Sequence, residues 1–307
     1  MKQHSLELNG RRLLKWQVRE LPPLDKNEVL IKTILGSISV GAEMPQYNES
    51  DITDVNPKYP KNTGYENYGE VISIGANVQS LQIGDRVIAF YGHKDFSIAK
   101  ENNVIPVPKD TPCSPALLTI LSCDSAKGVL KLDPNREEKV LVTGMGAMGL
   151  LAVYFLKNYV GVDQVDIIEP DVCRRDIARN FGVKSAFEIQ NQLGYEYDFG
   201  IECSGKYSAF QALQKSIKKD GEICILSDGN KEEFRLQPEF YEKELRIVGS
   251  SDGWDYKKHS QWFFKHVKKT PYIDQLFQYE TSKENLIQCF KDLSKGTIKP
   301  LKVLVHY

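Results

Sequence analysis

The chain has little of what marks an exported, membrane-borne or nucleic-acid-coating protein. Its 40 Lys and Arg face 41 Asp and Glu, a formal net charge of −1. No basic excess points to nucleic acid or to an anionic membrane. The longest uncharged run, residues 140–156, holds three glycines and is too short for a good bilayer span. No basic segment followed by an apolar core opens the chain, so no secretory signal is expected. The six cysteines, Cys113, Cys123, Cys173, Cys203, Cys224 and Cys289, are scattered, and none forms C-x-x-C. That usage predicts free thiols in a reducing cytoplasm and excludes a disulfide framework. There is no internal repeat and no low-complexity tract. The length, 307 residues, suggests two domains or one elaborated domain.

What is present centres on KVLVTGMGAMGLLAVYFL, Lys139 to Leu156. Val140, Leu141 and Val142 form an apolar run typical of a buried strand. Gly144, Gly146 and Gly149 follow at G-x-G-x-x-G spacing, and good helix formers begin at Leu150. This is the strand, turn and helix of a dinucleotide-binding unit. Gly144 permits the tight turn, Gly146 lets backbone approach a pyrophosphate, and Gly149 lets helix pack on strand. The helix N-terminus then presents unpaired N–H groups to the phosphates. Val165 to Ile168 is a second apolar run ending in Glu169, twenty residues beyond Gly149. An acid there binds adenosine ribose hydroxyls and repels a 2′-phosphate, so NAD is expected over NADP. Arg174 and Arg175 lie close behind.

Residues 1 to about 110 read as β structure with many turns. Arg12 to Val18, Glu28 to Leu35, Glu70 to Ile74, Arg86 to Phe90 and Phe96 to Ala99 are strand-like. Asn48 to Asn62 reads as a polar surface loop, or else a lid over a substrate cleft. A helical pattern runs from Ser114 to Lys131. Strand and helix then alternate over Val140 to Gly249, which predicts a parallel, doubly wound sheet. The tail adds a helix (Tyr256 to Lys268), a strand (Ile273 to Tyr279), a helix (Lys283 to Leu293) and a last strand (Lys302 to His306). A β-rich outer domain with the nucleotide domain inserted into it follows from this order.

Several segments resemble the medium-chain dehydrogenase/reductase superfamily, the alcohol dehydrogenase-like fold. They are Pro23 to Lys32, GYENYGEV (Gly64 to Val71) in place of G-H-E-x-x-G-x-V, GDRV (Gly84 to Val87), VTGMGAMG (Val142 to Gly149) and KELRIVGS (Lys243 to Ser250). The resemblance covers nearly the whole chain. It implies an α/β protein: a GroES-like β-rich domain over 1–124, an inserted Rossmann domain over 125–252, and a return to the first domain over 253–307. It also implies a substrate cleft between the two. For the cofactor it implies Gly144, Met145, Gly146, Ala147, Met148 and Gly149 at the pyrophosphate, and Glu169 and Arg174 at the ribose and adenine. Cys203, Ser204 and Gly205 fall under the adenosine half. Leu226, Ser227, Asp228, Ser250 and Ser251 fall near the nicotinamide carboxamide.

The chain departs from the family at the metal. Zinc-dependent members use a Cys, a His and a Cys, with the Glu of G-H-E nearby. Here Ser39 and Tyr65 stand at the first two positions, Cys123 matches the third, and Glu66 is kept. A hydroxyl, a phenol and one thiol make a poor zinc site. Tyr91 to Val104, where the family's structural-zinc lobe would lie, has no cysteine. No metal is expected at either site. A side chain must then handle the proton at the substrate oxygen. Tyr65 is the first candidate and Lys127, one helical turn after Cys123, the second. The alternatives are a packed ring for Tyr65 and a solvated charge for Lys127. Cys123 reads as a small buried residue more than a nucleophile. Glu43 and Glu66 tune the site or stand behind it, and Asp124 is a partner for Lys127. His93 follows a strand and is expected on a surface loop, or else reaches the cleft. His4, His259, His266 and His306 show no partner pattern, and Trp254 lines the pocket or fills core.

Three functions compete. The first is a zinc-independent, NAD(H)-dependent oxidoreductase of a secondary alcohol or ketone, such as a polyol, sugar derivative or biosynthetic intermediate. The second is an NADPH-dependent quinone or enoyl (C=C) reductase, against which Glu169 argues. The third is a non-catalytic dinucleotide-binding protein. A cytoplasmic homodimer or homotetramer with a small-molecule substrate, and with no nucleic-acid or membrane partner, is expected.

Overall fold

A computed structural model describes residues 1–188, 196–227 and 232–307. The chain divides into two compact units, Met1–Thr119 with Tyr256–Tyr307, and Ile120–Asp255. Among the described residues no helix is long and apolar enough to cross a membrane.

The first unit is mostly antiparallel sheet. Its first part holds β1 (Lys2–Leu8), β2 (Leu14–Glu20), β3 (Glu28–Ile38), α1 (Val40–Asn48), β4 (Lys61–Asn62), β5 (Glu66–Ile74), β6 (Arg86–Ala89), β7 (Phe96–Lys100), β8 (Val104–Pro106) and α2 (Cys113–Leu117). The inserted unit holds α3 (Thr119–Leu132), β9 (Lys139–Thr143), α4 (Ala147–Phe155), β10 (Gln164–Ile168), α5 (Val172–Asn180), β11 (Ser185–Phe187), β12 (Tyr197–Glu202), α6 (Tyr207–Ser216), β13 (Ile217–Ile225), α7 (Pro238–Glu242) and β14 (Arg246–Gly249). The tail returns with α8 (Tyr256–Val267), β15 (Phe277–Ser282), α9 (Leu286–Lys295) and β16 (Lys302–His306).

In the first unit one sheet runs β2-β1-β4 and a larger one β15-β16-β3-β5-β6-β8, with β7 also on β3. β3 alternates buried and partly exposed residues along Val29, Ile31 and Thr33, as a strand with one wet face does. The helix α9 buries Leu286, Cys289, Phe290 and Leu293 against Leu6, Ile38, Val303 and Val305. That spacing is one apolar helical stripe. β16 is the piece that matters below. Its register pairs Val303 with Ile38, bringing Lys302 level with Ser39 just past the end of β3. β5 lies on the other side of β3, with Ser37 opposite Glu66.

The second unit is a six-stranded parallel sheet in the order β11-β10-β9-β12-β13-β14. Chain order reverses between β9 and β12, which creates the crevice where α/β sheets bind ligands. β9 is buried from Val140 to Thr143, and α4 is buried from Gly149 to Phe155. A helix apolar on all sides belongs inside, which is why this run resembles a membrane segment in composition.

Three sequence expectations need correction. Residues Ile273 to Tyr279 are not one strand: Pro271–Leu276 forms a 3₁₀ turn, and β15 starts only at Phe277. Pro271 suits the first turn of a helix, and the apolar run concealed it. The stretch after β3 folds as α1 despite Pro45 inside it. Trp254 is 61% exposed and is no core aromatic.

Candidate active site

In the second unit the glycine turn is built by contact. Gly144 has φ +81, and a Cβ there would lie 2.7 Å from Ser204 Cα. At Gly149 a Cβ would lie 1.9 Å from the Gly144 carbonyl oxygen. At Gly146 it would meet nothing within 4 Å. The turn is therefore closed behind Gly144 and Gly149 and open at Gly146, which N-caps α4 in an extended conformation. The first-turn N–H groups after it, at Ala147 and Met148, lack intrahelical acceptors.

Glu169 sits buried just past the tip of β10. Its Oε2 accepts from Met145 N at 2.6 Å and its Oε1 from Asp171 N at 2.9 Å, so the acid also braces the turn. Arg175 donates to the carbonyls of Glu169 and Pro170 at 2.6 and 2.8 Å. Arg174 offers its backbone N–H to the N-cap Asp171. Glu202, fully buried and unmarked in the sequence reading, accepts from Ser204 N at 2.8 Å and Gly205 N at 3.2 Å. It thereby fixes Cys203, Ser204 and Gly205 against the turn. Burial pushes the Cys203 thiol well above its ordinary value.

Beyond the ends of β13 and β14, Ser227 Oγ and Ser250 Oγ are buried with no partner among the described residues. Buried hydroxyls without partners are costly, and a ligand with amide-like groups would satisfy them. Leu226 is buried, and a Cβ on Gly128 of α3 would lie 2.6 Å from its Cδ2. Asp228 lies outside the described residues. Open backbone at Gly146, a braced acid at Glu169 and two orphaned hydroxyls fit an adenine dinucleotide.

Lys127 is half-buried, and its ammonium makes an exposed backbone contact. Its Nζ donates to Ser251 O at 2.8 Å, and Lys131, one turn on, donates to Gly249 O at 2.5 Å. The two clamp the chain leaving β14. Cys123 is buried, and burial with the neighbouring Asp124 carboxylate pushes its thiol up to about 12. At neutral pH it is not a thiolate nucleophile.

In the first unit Ser39, Tyr65 and Glu66 come together, and Lys302 joins them. Lys302 and Glu66 are fully buried, with Nζ 2.5 Å from Glu66 Oε2. The same Nζ lies 2.9 Å from Ser39 Oγ. Tyr65 donates its hydroxyl to Ser39 Oγ at 2.8 Å, and Ser39 reaches Glu66 Oε2 at 3.4 Å. Ser37 also donates to Oε2. Ser39 precedes α1, yet its hydroxyl makes no cap. Glu43 reaches back from the first turn to accept the Ser39 N–H at 2.9 Å, leaving the hydroxyl turned to Lys302 and Tyr65.

Behind Glu43, His93 Nε2 lies 3.0 Å from Oε2, and Tyr307 OH lies 3.3 Å from His93 Nδ1. His93 is 1% exposed, which corrects the surface-loop expectation. His4 and His306 also have partners, Asp95 at 2.6 Å and Glu280 at 2.9 Å.

These donors do not suit zinc. Ser39 and Tyr65 bring hydroxyls where imidazole and thiolate bind well, and Glu66 is already engaged by an ammonium. A dication beside that ammonium would meet like-charge repulsion in a buried setting. Sequence reading missed Lys302; its one signal was a lysine opening the apolar run Val303 to Val305 of the last strand.

Residues 25–109 match the alcohol dehydrogenase GroES-like domain. Over 247 residues the chain is 30% identical to L-threonine 3-dehydrogenase of Vibrio cholerae serotype O1, covering 67% of this chain and 71% of that protein. The fold is shared with L-idonate 5-dehydrogenase of Escherichia coli K-12, at TM-score 0.86 and 14% identity, over 100% and 99% of the two chains. It is also shared with a dehydrogenase of Sinorhizobium meliloti 1021, described as zinc-binding and bound to NADP, at TM-score 0.84 and 16% identity over the whole of both chains. The chain belongs to the medium-chain dehydrogenase/reductase superfamily, as an NAD(P)-dependent, alcohol dehydrogenase-like oxidoreductase.

Proposed function

We propose that this protein is a zinc-independent oxidoreductase that interconverts a secondary alcohol and its ketone, with NAD(H) preferred over NADP(H). The substrate is a small hydroxylated molecule, such as a polyol, a sugar derivative or a biosynthetic intermediate. The similar dehydrogenases of threonine and idonate, both hydroxylated acids, support that class. The observation that carries the reading is Tyr65. Its phenol is linked through Ser39 to a buried ammonium, in a position where the zinc-dependent relatives carry a metal ligand.

A bound nicotinamide dinucleotide supplies or accepts the hydride. The turn at Gly144, Gly146 and Gly149 and the first N–H groups of α4 hold the pyrophosphate. Glu169 takes the ribose hydroxyls, and its carboxylate disfavours a 2′-phosphate. Ser227 and Ser250 bind the carboxamide, which satisfies their orphaned hydroxyls. Lys127 and Lys131 fix the backbone beside Ser251. Tyr65 gives its proton to the carbonyl oxygen in reduction and takes it back in oxidation. Glu66 and Glu43 hold Lys302 and Ser39 in place.

The test is NADH oxidation at 340 nm across a panel of ketones and ketoses, repeated with NADPH and with Tyr65→Phe. Turnover with NADH, slower turnover with NADPH, and a fall of about 10²–10⁴ in kcat for the variant are expected. Full activity in Tyr65→Phe would remove the phenol from the chemistry.

A further inference from the structure

We propose that Lys302 is the positioning residue for proton transfer at Tyr65, acting through Ser39; this rests on the reading of Tyr65 as the proton donor. Valence fixes the direction of each bond. A serine hydroxyl can accept twice and donate once. Ser39 Oγ accepts from Lys302 Nζ at 2.9 Å and from Tyr65 OH at 2.8 Å, and donates to Glu66 Oε2 over a longer 3.4 Å. An ammonium can only donate, and the Ser39 proton is turned to Glu66. Tyr65 is therefore compelled to donate, and its proton position is set by Lys302.

With a carbonyl bound, the phenol O–H turns from Ser39 to the substrate oxygen, and the phenol O–H bond breaks as the substrate O–H bond forms. The phenolate left behind needs a donor. Ser39 turns its proton from Glu66 to the phenolate, giving up the longest of its three bonds. Lys302 keeps its bond to Ser39 throughout and remains charged. Oxidation of the alcohol runs the same movements backwards. The ammonium and the carboxylate form a dipole whose positive end is nearer the relay: 2.9 Å from Ser39 Oγ for the ammonium, 3.4 Å for Oε2. Glu43, bonded to the Ser39 N–H, and behind it His93 and Tyr307 also face this side of the relay.

Two hydrogen bonds of 2.8 and 2.9 Å in series place the phenol oxygen within about 6 Å of the ammonium. At an effective dielectric of about 20, one charge at that distance moves an acid's midpoint by about two pH units. The opposing partner offsets about half of that. Removing Lys302 must therefore raise the Tyr65 midpoint by about two units, and removing the Glu66 charge must lower it by about one.

The experiment is NMR titration of protein labelled with ¹³Cζ-tyrosine, from about pH 7 to about pH 11, without cofactor or substrate. Tyr65 is the signal lost in Tyr65→Phe. Tyr91 and Tyr307, whose phenols burial pushes upward, stay protonated over the range. Lys302→Met should raise the Tyr65 midpoint by about two units, and Glu66→Gln should lower it by about one. The same directions should appear in the pH profile of kcat, and Lys302→Arg should restore the wild-type midpoint. Midpoints that do not move, or that move the same way in both variants, overturn the proposal. If Lys302→Met does not fold, Glu66→Gln decides alone, and an unchanged or raised midpoint refutes. Expected shifts together with full turnover in Tyr65→Phe would end the functional reading and leave the coupling standing. Lost turnover in Tyr65→Phe with unmoved midpoints would end only the coupling.

Discussion

Two single-atom additions to the glycine turn separate its two duties. At Gly149 a Cβ would stand 1.9 Å from the Gly144 carbonyl oxygen, about 1.5 Å inside ordinary contact. The obstacle is backbone, so α4 must lift from β9 or the turn must open. Overpacking of this kind costs about 1–3 kcal/mol. For a unit of this size that lowers Tm by roughly 5–10 °C. At Gly146 the added Cβ meets nothing within 4 Å, and the residue has φ −73, which alanine adopts freely. Gly146→Ala should therefore melt within about 1 °C of wild type. Its methyl group projects where a pyrophosphate must approach, so NADH affinity should fall about tenfold or more, about 1.4 kcal/mol. Differential scanning calorimetry and fluorescence titration with NADH read the two effects. A stable Gly149→Ala, or a Gly146→Ala that binds NADH as tightly as wild type, would refute the reasoning.

Other consequences follow from the same geometry. Lys302→Met leaves Glu66 buried and unpaired and should cost about 3–5 kcal/mol in urea unfolding, while the double variant with Glu66→Leu should recover most of it. Glu169→Gln removes the charge that repels a 2′-phosphate, and should improve NADPH binding relative to NADH by about tenfold. The Cys123 thiol, pushed up to about 12, is fully protonated at pH 8. Iodoacetamide should therefore label the exposed Cys113 and Cys173 and spare Cys123, as read by mass spectrometry. Rapid labelling of Cys123 at pH 8 would contradict its burial.

The nucleotide unit was legible because its signals are local. The strand at Val140, the three glycines and the acid at Glu169 lie within thirty residues, and each has a backbone reason to be there. The proton site was only half legible. Ser39 lies just past the end of β3, Tyr65 just before and Glu66 at the start of the neighbouring β5, and family motifs point to them. Lys302 reaches them because β16 pairs beside β3, more than two hundred residues along the chain. Nothing local in Leu-Lys-Val-Leu-Val announces that pairing. Glu202 was missed, and His93 misplaced, for a similar reason. A lone charge in a strand or after one shows its partner only when the sheet is assembled. The 3₁₀ turn at Pro271 was concealed because a short apolar run has no distinctive period.

In the proposed reaction organic groups, with Tyr65 foremost, handle the proton. The direct measurement is metal analysis of purified protein, paired with NADH-dependent ketone reduction before and after dialysis against a strong chelator. Full activity is expected in protein that holds far less than one zinc per chain. Activity that rises and falls with bound zinc would contradict it.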